Sequence, residues 1–133
     1  MHPYLLSTQL LKTLAHPARL QILNALRQDE ECVCHLTALL HHRQAYVSQQ
    51  LRFLRQAGII EDRKDGLRVY YRVKDPRVFD VLDTLNALVG ANDIPSEKVT
   101  IAACPCPKCE SQGRVEGGKE WSSKSSVRVA ETA

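Results

Sequence analysis

The spacing of apolar residues changes once along the chain and then changes back, and this switch limits the folds that the sequence can adopt. Four segments repeat apolar residues at helical spacing, about residues 4–15, 17–27, 32–40 and 44–57. After the turn residues Lys-Asp-Gly, apolar and polar sides alternate as in a β-hairpin with one wet, basic face: Leu67, Val69, Tyr71 and Val73 alternate with Arg68, Tyr70 and Arg72. A last helical segment runs from Pro76 to about Val89, and its apolar face is wider than one small core requires. This order predicts a mainly α domain with a small β-hairpin.

Length and composition favour one domain followed by a tail. A chain of 133 residues can bury a modest core, and no apolar run approaches the ~20 residues of a membrane span. Beyond Pro95 the composition shifts to Ser, Gly, Lys and Glu without sustained periodicity. We therefore predict a domain over residues 1–93 and a cysteine-containing, largely flexible tail over residues 94–133.

The N-terminus and the cysteine content bear on location. The first residues lack the basic start, apolar block and small-residue cleavage site of a secretory signal. Five cysteines, an odd number, argue against a closed disulfide framework. These observations predict a cytoplasmic protein without a membrane partner, whose thiols serve metal or redox chemistry.

Positive charge is concentrated in the middle of the chain. The whole chain has a net charge of +3, but residues 43–77 hold nine Lys or Arg against four acids, a net +5. A local excess of this kind suits a polyanionic partner, although solvated faces that bind nothing show it as well.

The order of elements predicts a winged helix-turn-helix. Two short helices, a polar turn and a helix with a polar outward face form the helix-turn-helix, and the basic hairpin adds the wing. Amide and guanidinium groups match the donors and acceptors of base edges, whereas basic hairpin residues suit the phosphate backbone. The predicted DNA-contacting residues are Gln44, Tyr46, Ser48, Gln49 and Arg52 on the helix, and Arg63, Lys64 and Arg68 on the hairpin. The alternative is that both are solvated polar faces.

Two cysteine clusters stand out, ECVCHL at residues 31–36 and ACPCPKC at residues 103–109. Residues two apart share a side in an extended segment but not in a helix, so an ion shared by the first pair favours a distorted first helical turn. Thiolates select As(III), Cd(II), Pb(II), Zn(II) or Hg(II). The predicted ligands are Cys32, Cys34, Cys104, Cys106 and Cys109. His35 is either a supplementary ligand or a surface residue.

These residues carry a resemblance to a known family. Over roughly residues 5–90, the chain resembles the ArsR/SmtB family of metal- and metalloid-responsive repressors through LLKTLAHPARLQILNAL, ECVCHL, RQAYVSQQLRFLRQAGIIEDR and DGLRVYYRV. The resemblance implies a dimeric winged-helix protein, paired through its first and last helices, that binds operator DNA when metal-free and leaves it when metal binds. The CVC step resembles a thiolate site that family members carry on the first helix of the helix-turn-helix.

The chain also departs from the family pattern. Members that bind zinc between their last helices use Asp and His there, whereas this last helix offers Asp80 and Asp83 without a His, so that site is expected to be absent. Some arsenite sensors have a third cysteine shortly after the pair, where this chain has Thr37. A third thiolate would therefore come from the C-terminal cluster.

Several other functions compete with metal sensing. Thiol oxidation or persulfide sensing by a repressor of the same fold is the main alternative. Haem or iron–sulfur binding would use the C-terminal cluster and leave the CVC pair unexplained. A metal chaperone would bind ions tightly without any operator DNA response. An enzyme is not expected, because the sequence shows no nucleophile paired with a base and no phosphate-binding glycine loop.

Overall fold

The structure, a computed structural model, describes residues 2–91, which contain five helices and a three-stranded antiparallel sheet. The helices are α1 (Pro3–Leu14), α2 (Pro17–Ala25), α3 (Val33–Leu40), α4 (Gln44–Gln56) and α5 (Arg77–Val89). The strands are β1 (Glu31–Cys32), β2 (Ile60–Asp65) and β3 (Arg68–Val73), in the sheet order β1-β3-β2. The predicted mainly α fold with a small hairpin is confirmed. Among residues 2–91, no helix has the length and apolar character needed to cross a bilayer.

The helices begin and end at residues that the sequence marks. Every helix boundary lies within two residues of its predicted position. Prolines start α1 and α2, and residues in the left-handed conformation end α3 and α5. His41 ends α3 with φ 57°, and Gly90 ends α5 with φ 78°. Before α5, Asp75 accepts hydrogen bonds from the guanidinium and the backbone N–H of Arg77, which lower the pKa of its carboxyl to about 2.

One apolar core joins the helices to the sheet. The buried face of α4 is the predicted one, with Val47, Leu51 and Leu54 fully buried. Around it pack apolar side chains of every other helix and of the sheet: Leu14, Ile22, Leu23, Leu36, Leu40, Ile60, Val73, Phe79 and Leu82. The polar side of α4 is thereby turned to solvent, in the position that a recognition helix requires.

The hairpin of β2 and β3, residues 60–73, is called the wing below. Its two-residue loop places Gly66 at φ 64°, whereas Leu67 has no positive φ, which is the pattern of a type II′ turn. Leu67 was predicted to continue the apolar side of the strand, but it lies in the loop and is 100% exposed. The alternation also placed Tyr70 on a wet face, and this is wrong: the ring is 0% exposed.

The third strand was not predicted. β1 has only two residues, Glu31 and Cys32, which pair with Tyr71 and Tyr70 of β3. The pairing adds β1 to the edge of β3 and places Cys32 beside the buried ring of Tyr70. It also joins the segment before α3 directly to the wing.

Apolar side chains of α1 and α5 lie on the surface of the single chain. The exposed set is Tyr4, Leu5, Leu6, Leu10 and Leu11 on α1, and Val81, Leu85, Leu88 and Val89 on α5. The inner side of α5 is packed through Phe79, and Arg27 lies over that ring while pairing with Asp83 at 2.7 Å. The predicted wide apolar face of the last helix is therefore confirmed, and most of it lies outside the core.

Candidate thiol site and DNA-facing surface

The two cysteines of the CVC step lie where β1 passes into α3. Cys32 has extended backbone angles, φ −86° and ψ 164°, whereas Cys34 lies in the first turn of α3. The Cα atoms are 5.4 Å apart and the sulfurs are joined as a disulfide. A regular helix through both positions would point the sulfurs in different directions. The distorted turn that a shared ligand requires is therefore built into the fold as a strand-to-helix junction.

An acid and an imidazole flank the sulfur pair. Nε2 of His35 lies 3.7 Å from Oε2 of Glu31, one turn apart on the chain, so the two groups attract each other when the imidazole is protonated. His35 was predicted to be a surface residue or a supplementary ligand. The surface position is wrong, because the side chain is buried against the domain.

The described residues supply two soft ligands. Within residues 2–91, no three His, Cys, Asp or Glu side chains are grouped in a way that would hold a metal ion. Once their disulfide is reduced, Cys32 and Cys34 offer two thiolates that suit part of the coordination shell of a thiophilic ion. The other predicted ligands, Cys104, Cys106 and Cys109, lie outside the described residues.

A row of side chains crosses the sheet beside the sulfur pair. Cys32 of β1 is in register with Tyr70 of β3, and Tyr70 is in register with Arg63 of β2. Directly opposed residues project from the same face of an antiparallel sheet, so all three side chains lie on one side. Cys32 is 3% exposed, and the guanidinium carbon of Arg63 lies 4.9 Å from the centre of the Tyr70 ring.

The buried carboxylate of Glu30 binds the guanidinium of Arg63. Nη2 of Arg63 donates to Oε1 of Glu30 at 2.6 Å, and Nε of Arg63 donates to Oε2 at 3.1 Å, which makes a bidentate pair. Glu30 is 1% exposed and immediately precedes β1. Removing one partner of such a pair costs about 3–5 kcal/mol, because the other charge is left buried. Arg63 was predicted to contact phosphate; in the structure its guanidinium is directed at Glu30.

The polar face of α4 carries the other predicted DNA-contacting residues. Gln44, Ser48 and Arg52 follow one another at four-residue spacing, so they share a side of the helix. Ser48 is half-buried, and the other predicted contacts on this helix are exposed: Gln44, Tyr46, Gln49 and Arg52. The outward side of α4 thus offers amide, hydroxyl and guanidinium groups to a partner.

Two buried polar residues that the sequence analysis missed hold α4 in place. Nε of Arg19 in α2 donates to Oε1 of Gln50 at 2.8 Å, and its Nη1 donates to the carbonyl oxygen of Thr13 in α1 at 2.9 Å. The guanidinium lies over Phe53, 4.7 Å from the ring centre. The Arg19 side chain therefore connects α4 to α2 and α1.

A signal for this pair was present in the sequence. Gln50 lies three residues after Val47 and four before Leu54, so it interrupts the apolar face of its helix. Arg19 lies three residues before Ile22 in the same way. Polar residues on an apolar face need hydrogen-bond partners, and here each supplies the other.

The wing presents a smaller positive surface than its composition indicates. Lys64 is exposed and Arg68 is half-buried. Nε of Arg72 donates to Glu61 across the strands at 2.7 Å, which neutralises part of the local excess. Burial raises the pKa of Tyr71 above its usual 10, so its phenol stays neutral even in moderately alkaline solution.

Comparisons with known proteins agree on one class of protein. A family model described as bacterial regulatory protein, arsR family, matches residues 16–62. The chain is 43% identical over 82 residues to a biofilm growth-associated repressor of Agrobacterium fabrum, an alignment that covers 62% of this chain and 70% of that protein. It is 35% identical over 85 residues to the HTH-type transcriptional repressor SmtB of Mycobacterium tuberculosis, covering 64% of this chain and 62% of that protein.

The fold agrees with a solved structure. Reduced HlyU from Vibrio cholerae is similar with a TM-score of 0.59 and 33% identity, covering 64% of this chain and 90% of that chain. The chain spans less than two thirds of the SmtB relative, so what that whole protein does is not transferred by the alignment alone.

A bivalent arsenical tests whether the two sulfurs share one side in solution. In a reduced protein carrying Cys104→Ser, Cys106→Ser and Cys109→Ser, phenylarsine oxide is expected to bond to both remaining sulfurs with loss of one water. Intact mass spectrometry should show a one-to-one adduct that survives competition with a monothiol. Adding Cys32→Ser or Cys34→Ser should make the adduct labile. Equally durable adducts in the single-cysteine proteins would contradict the geometry.

Proposed function

The chain belongs to the ArsR/SmtB family of transcriptional repressors, and from that premise we propose that it binds operator DNA as a homodimer and is released when a thiophilic ion binds its cysteine thiolates. The observation that carries the proposal is the meeting of the Cys32 and Cys34 sulfurs at the start of α3. α3 is the helix that precedes and supports α4. An effector held there acts on the element that positions the DNA-facing helix. No catalytic activity is part of the proposal.

The DNA contacts divide between α4 and the wing. The exposed amides and guanidinium of Gln44, Gln49 and Arg52 suit base edges and phosphates in a major groove. Lys64 and Arg68 suit the neighbouring phosphates, which contribute affinity without sequence information. The local positive excess of residues 43–77 supports this arrangement, because duplex DNA is a polyanion.

The dimer uses the apolar faces that the single chain leaves exposed. On α1 the interface includes leucines such as Leu11. On the outer side of α5 it includes Leu88, whose side chain is 81% exposed in the single chain. Contiguous exposed apolar surface of this kind marks an interface. Pairing of two identical chains would cover both helices and place two α4 helices on one side of the dimer for two half-sites.

The effector site combines the CVC pair with the C-terminal cluster. Cys32 and Cys34 would supply two thiolates to As(III), Cd(II), Pb(II), Zn(II) or Hg(II), and one or more of Cys104, Cys106 and Cys109 would complete the shell from the same or the partner subunit. Because thiols lose protons on binding an ion, affinity rises with pH through their titration range. The ion would supply a covalent-strength bridge between α3 and the C-terminal segment.

A second candidate effector is an oxidant, and one observation favours it. The sulfurs of Cys32 and Cys34 are joined as a disulfide. Oxidation by hydrogen peroxide removes two electrons and two protons from the thiols, forms the S–S bond and yields two waters. In this version the same strand-to-helix junction responds, and the C-terminal cysteines are not needed.

Operator affinity in the presence of each effector separates the two candidates. Fluorescence anisotropy on the reduced full chain is expected to show affinity falling ~5- to 150-fold with Cd(II), Pb(II) or arsenite. The response should be lost in Cys32→Ser, Cys34→Ser and the triple C-terminal serine variant. Release by peroxide alone, retained in that triple variant, would favour the redox candidate. Unchanged affinity under all effectors would defeat both.

Substitutions on the DNA-facing surface should separate contacts that read the operator sequence from contacts that bind phosphate. Arg52→Ala is expected to weaken operator binding by about 1–3 kcal/mol, and Lys64→Ala to weaken all DNA similarly while reducing the salt slope of the affinity by ~1. Lys12→Ala removes an exposed charge from α1 and serves as the control. Equal effects of all three in a salt titration would contradict the assigned surface.

Charge placed on the exposed helix faces should separate the dimer. Leu11→Glu and Leu88→Glu are each expected to shift the protein from dimer to monomer, because each charge is buried twice in a two-fold interface. Sedimentation velocity measures the change. Leu67→Glu alters an equally apolar, fully exposed residue in the wing loop and should leave the dimer intact. Dimers in all three variants would rule out this interface.

A further inference from the structure

The cysteine pair has a second connection, to the wing, that the proposed function does not use. Cys32 pairs with Tyr70 in the sheet, while the residue before β1, Glu30, holds Arg63 of β2. Two contacts, one through the backbone and one through side chains, thus run from the same short segment to both strands of the wing. A movement of this segment cannot leave the wing where it is without breaking one of them.

The geometry of the ion pair makes it directional. Both carboxylate oxygens of Glu30 accept from different nitrogens of Arg63, and the guanidinium lies over the Tyr70 ring. Its third nitrogen, Nη1, is 3.8 Å from Asp65 near the wing loop. A two-point contact fixes orientation as well as distance, which a single charge on a flexible stem does not.

Stability alone does not explain why these charges are buried. Apolar residues of similar volume often replace a buried ion pair without loss of stability. Here the guanidinium instead joins residues that are 33 positions apart and belong to different parts of the fold, the start of the thiol site and the wing. Its position suits the transmission of a displacement better than the filling of a core.

We propose that Glu30 and Arg63 are positioning residues that couple the state of the Cys32–Cys34 pair to the wing, so that effector capture weakens DNA binding through the wing as well as through α4. This inference rests on the proposed function, since it requires an effector at the cysteine pair. A change at Cys32 displaces β1 and the adjoining carboxylate. Arg63 follows that carboxylate, and Lys64, the next residue of β2, is withdrawn from its phosphate.

The salt dependence of operator binding reports this withdrawal directly. Each phosphate contact contributes about one unit to the slope of log affinity against log salt. In the wild type, Cd(II) or peroxide is expected to lower both the affinity and the slope, the slope by ~1 per wing. If the effector acted only by tilting α4 away from the bases, the affinity would fall, but the wing would keep its phosphate contacts and their contribution to the salt slope.

The test replaces the ion pair as a unit. In Glu30→Met/Arg63→Met, both charges are removed together so that neither is left buried alone. The effector-free protein is expected to keep its wild-type salt slope, whereas the loss of affinity on adding Cd(II) or peroxide should shrink from ~5- to 150-fold to roughly 2-fold. Arg63→Lys keeps the charge but loses the two-point contact, and the same reduced response is expected from it.

A matched control uses a second ion pair of the wing. Glu61→Met/Arg72→Met removes a pair that joins β2 to β3 and includes neither Glu30 nor Arg63, and it should respond to effector as the wild type does. Circular dichroism melting confirms that each variant is folded before affinity is measured.

The possible outcomes test the coupling role of Glu30 and Arg63 separately from the proposed repressor function. A wild-type response in Glu30→Met/Arg63→Met or in Arg63→Lys overturns the coupling role and leaves the repressor proposal intact. An effector-free salt slope that falls by ~1 in the double variant shows instead that Arg63 contacts phosphate, which also overturns it. A wild-type protein that does not respond to either effector defeats the proposed function, and the inference falls with it.

Discussion

The pairing of β1 with β3 is the contact on which the arrangement of the thiol site depends. A strand of two residues has little stability of its own. Here β1 is held in place by two contacts. Cys32 pairs with Tyr70 of β3, and Glu30, just before the strand, binds Arg63 of β2. This pairing keeps Cys32 extended while Cys34 is already helical, and only that combination brings the sulfurs to a common side. The same pairing places the thiols against the wing.

Two arginines connect α4 and the wing to neighbouring parts of the fold. Arg19 ties α4 to α1 and α2 through Gln50, and Arg63 ties the wing to the segment before α3 through Glu30. Each guanidinium also lies on an aromatic ring. Contacts of this kind have a narrow range of favourable geometries, so they orient secondary-structure elements that apolar packing alone would allow to slide.

The two sides of the described domain have opposite characters. The side formed by α4 and the wing is polar with excess positive charge, whereas the outer faces of α1 and α5 are apolar. A domain of this size cannot enclose both leucine-rich helices in one core. In the proposed dimer a second copy covers this surplus apolar surface, which leaves the polar side available to DNA.

Local pattern alone determined the helices, the inner face of α4 and the presence of a hairpin turn at Gly66, since each depends on residues close together along the chain. Prolines at helix starts and Gly66 at a positive φ act through their own backbone preferences. Periodicity also predicted that α5 has more apolar surface than one core uses. The CVC spacing indicated that a regular helix could not present both sulfurs together. The roles of the C-terminal cysteines stay predictions.

Tertiary structure decided the rest, because the deciding partners are distant in sequence. Two residues of β1 carry no periodic signal, so neither their pairing with β3 nor the burial of Tyr70 beside them could be read from alternation. Arg19 meets Gln50 across 31 positions and Arg63 meets Glu30 across 33. A charged side chain in a basic hairpin has the same sequence signature whether it contacts phosphate or a buried carboxylate. Only the packing of the whole domain excludes water from Glu30 and so directs Arg63 inward.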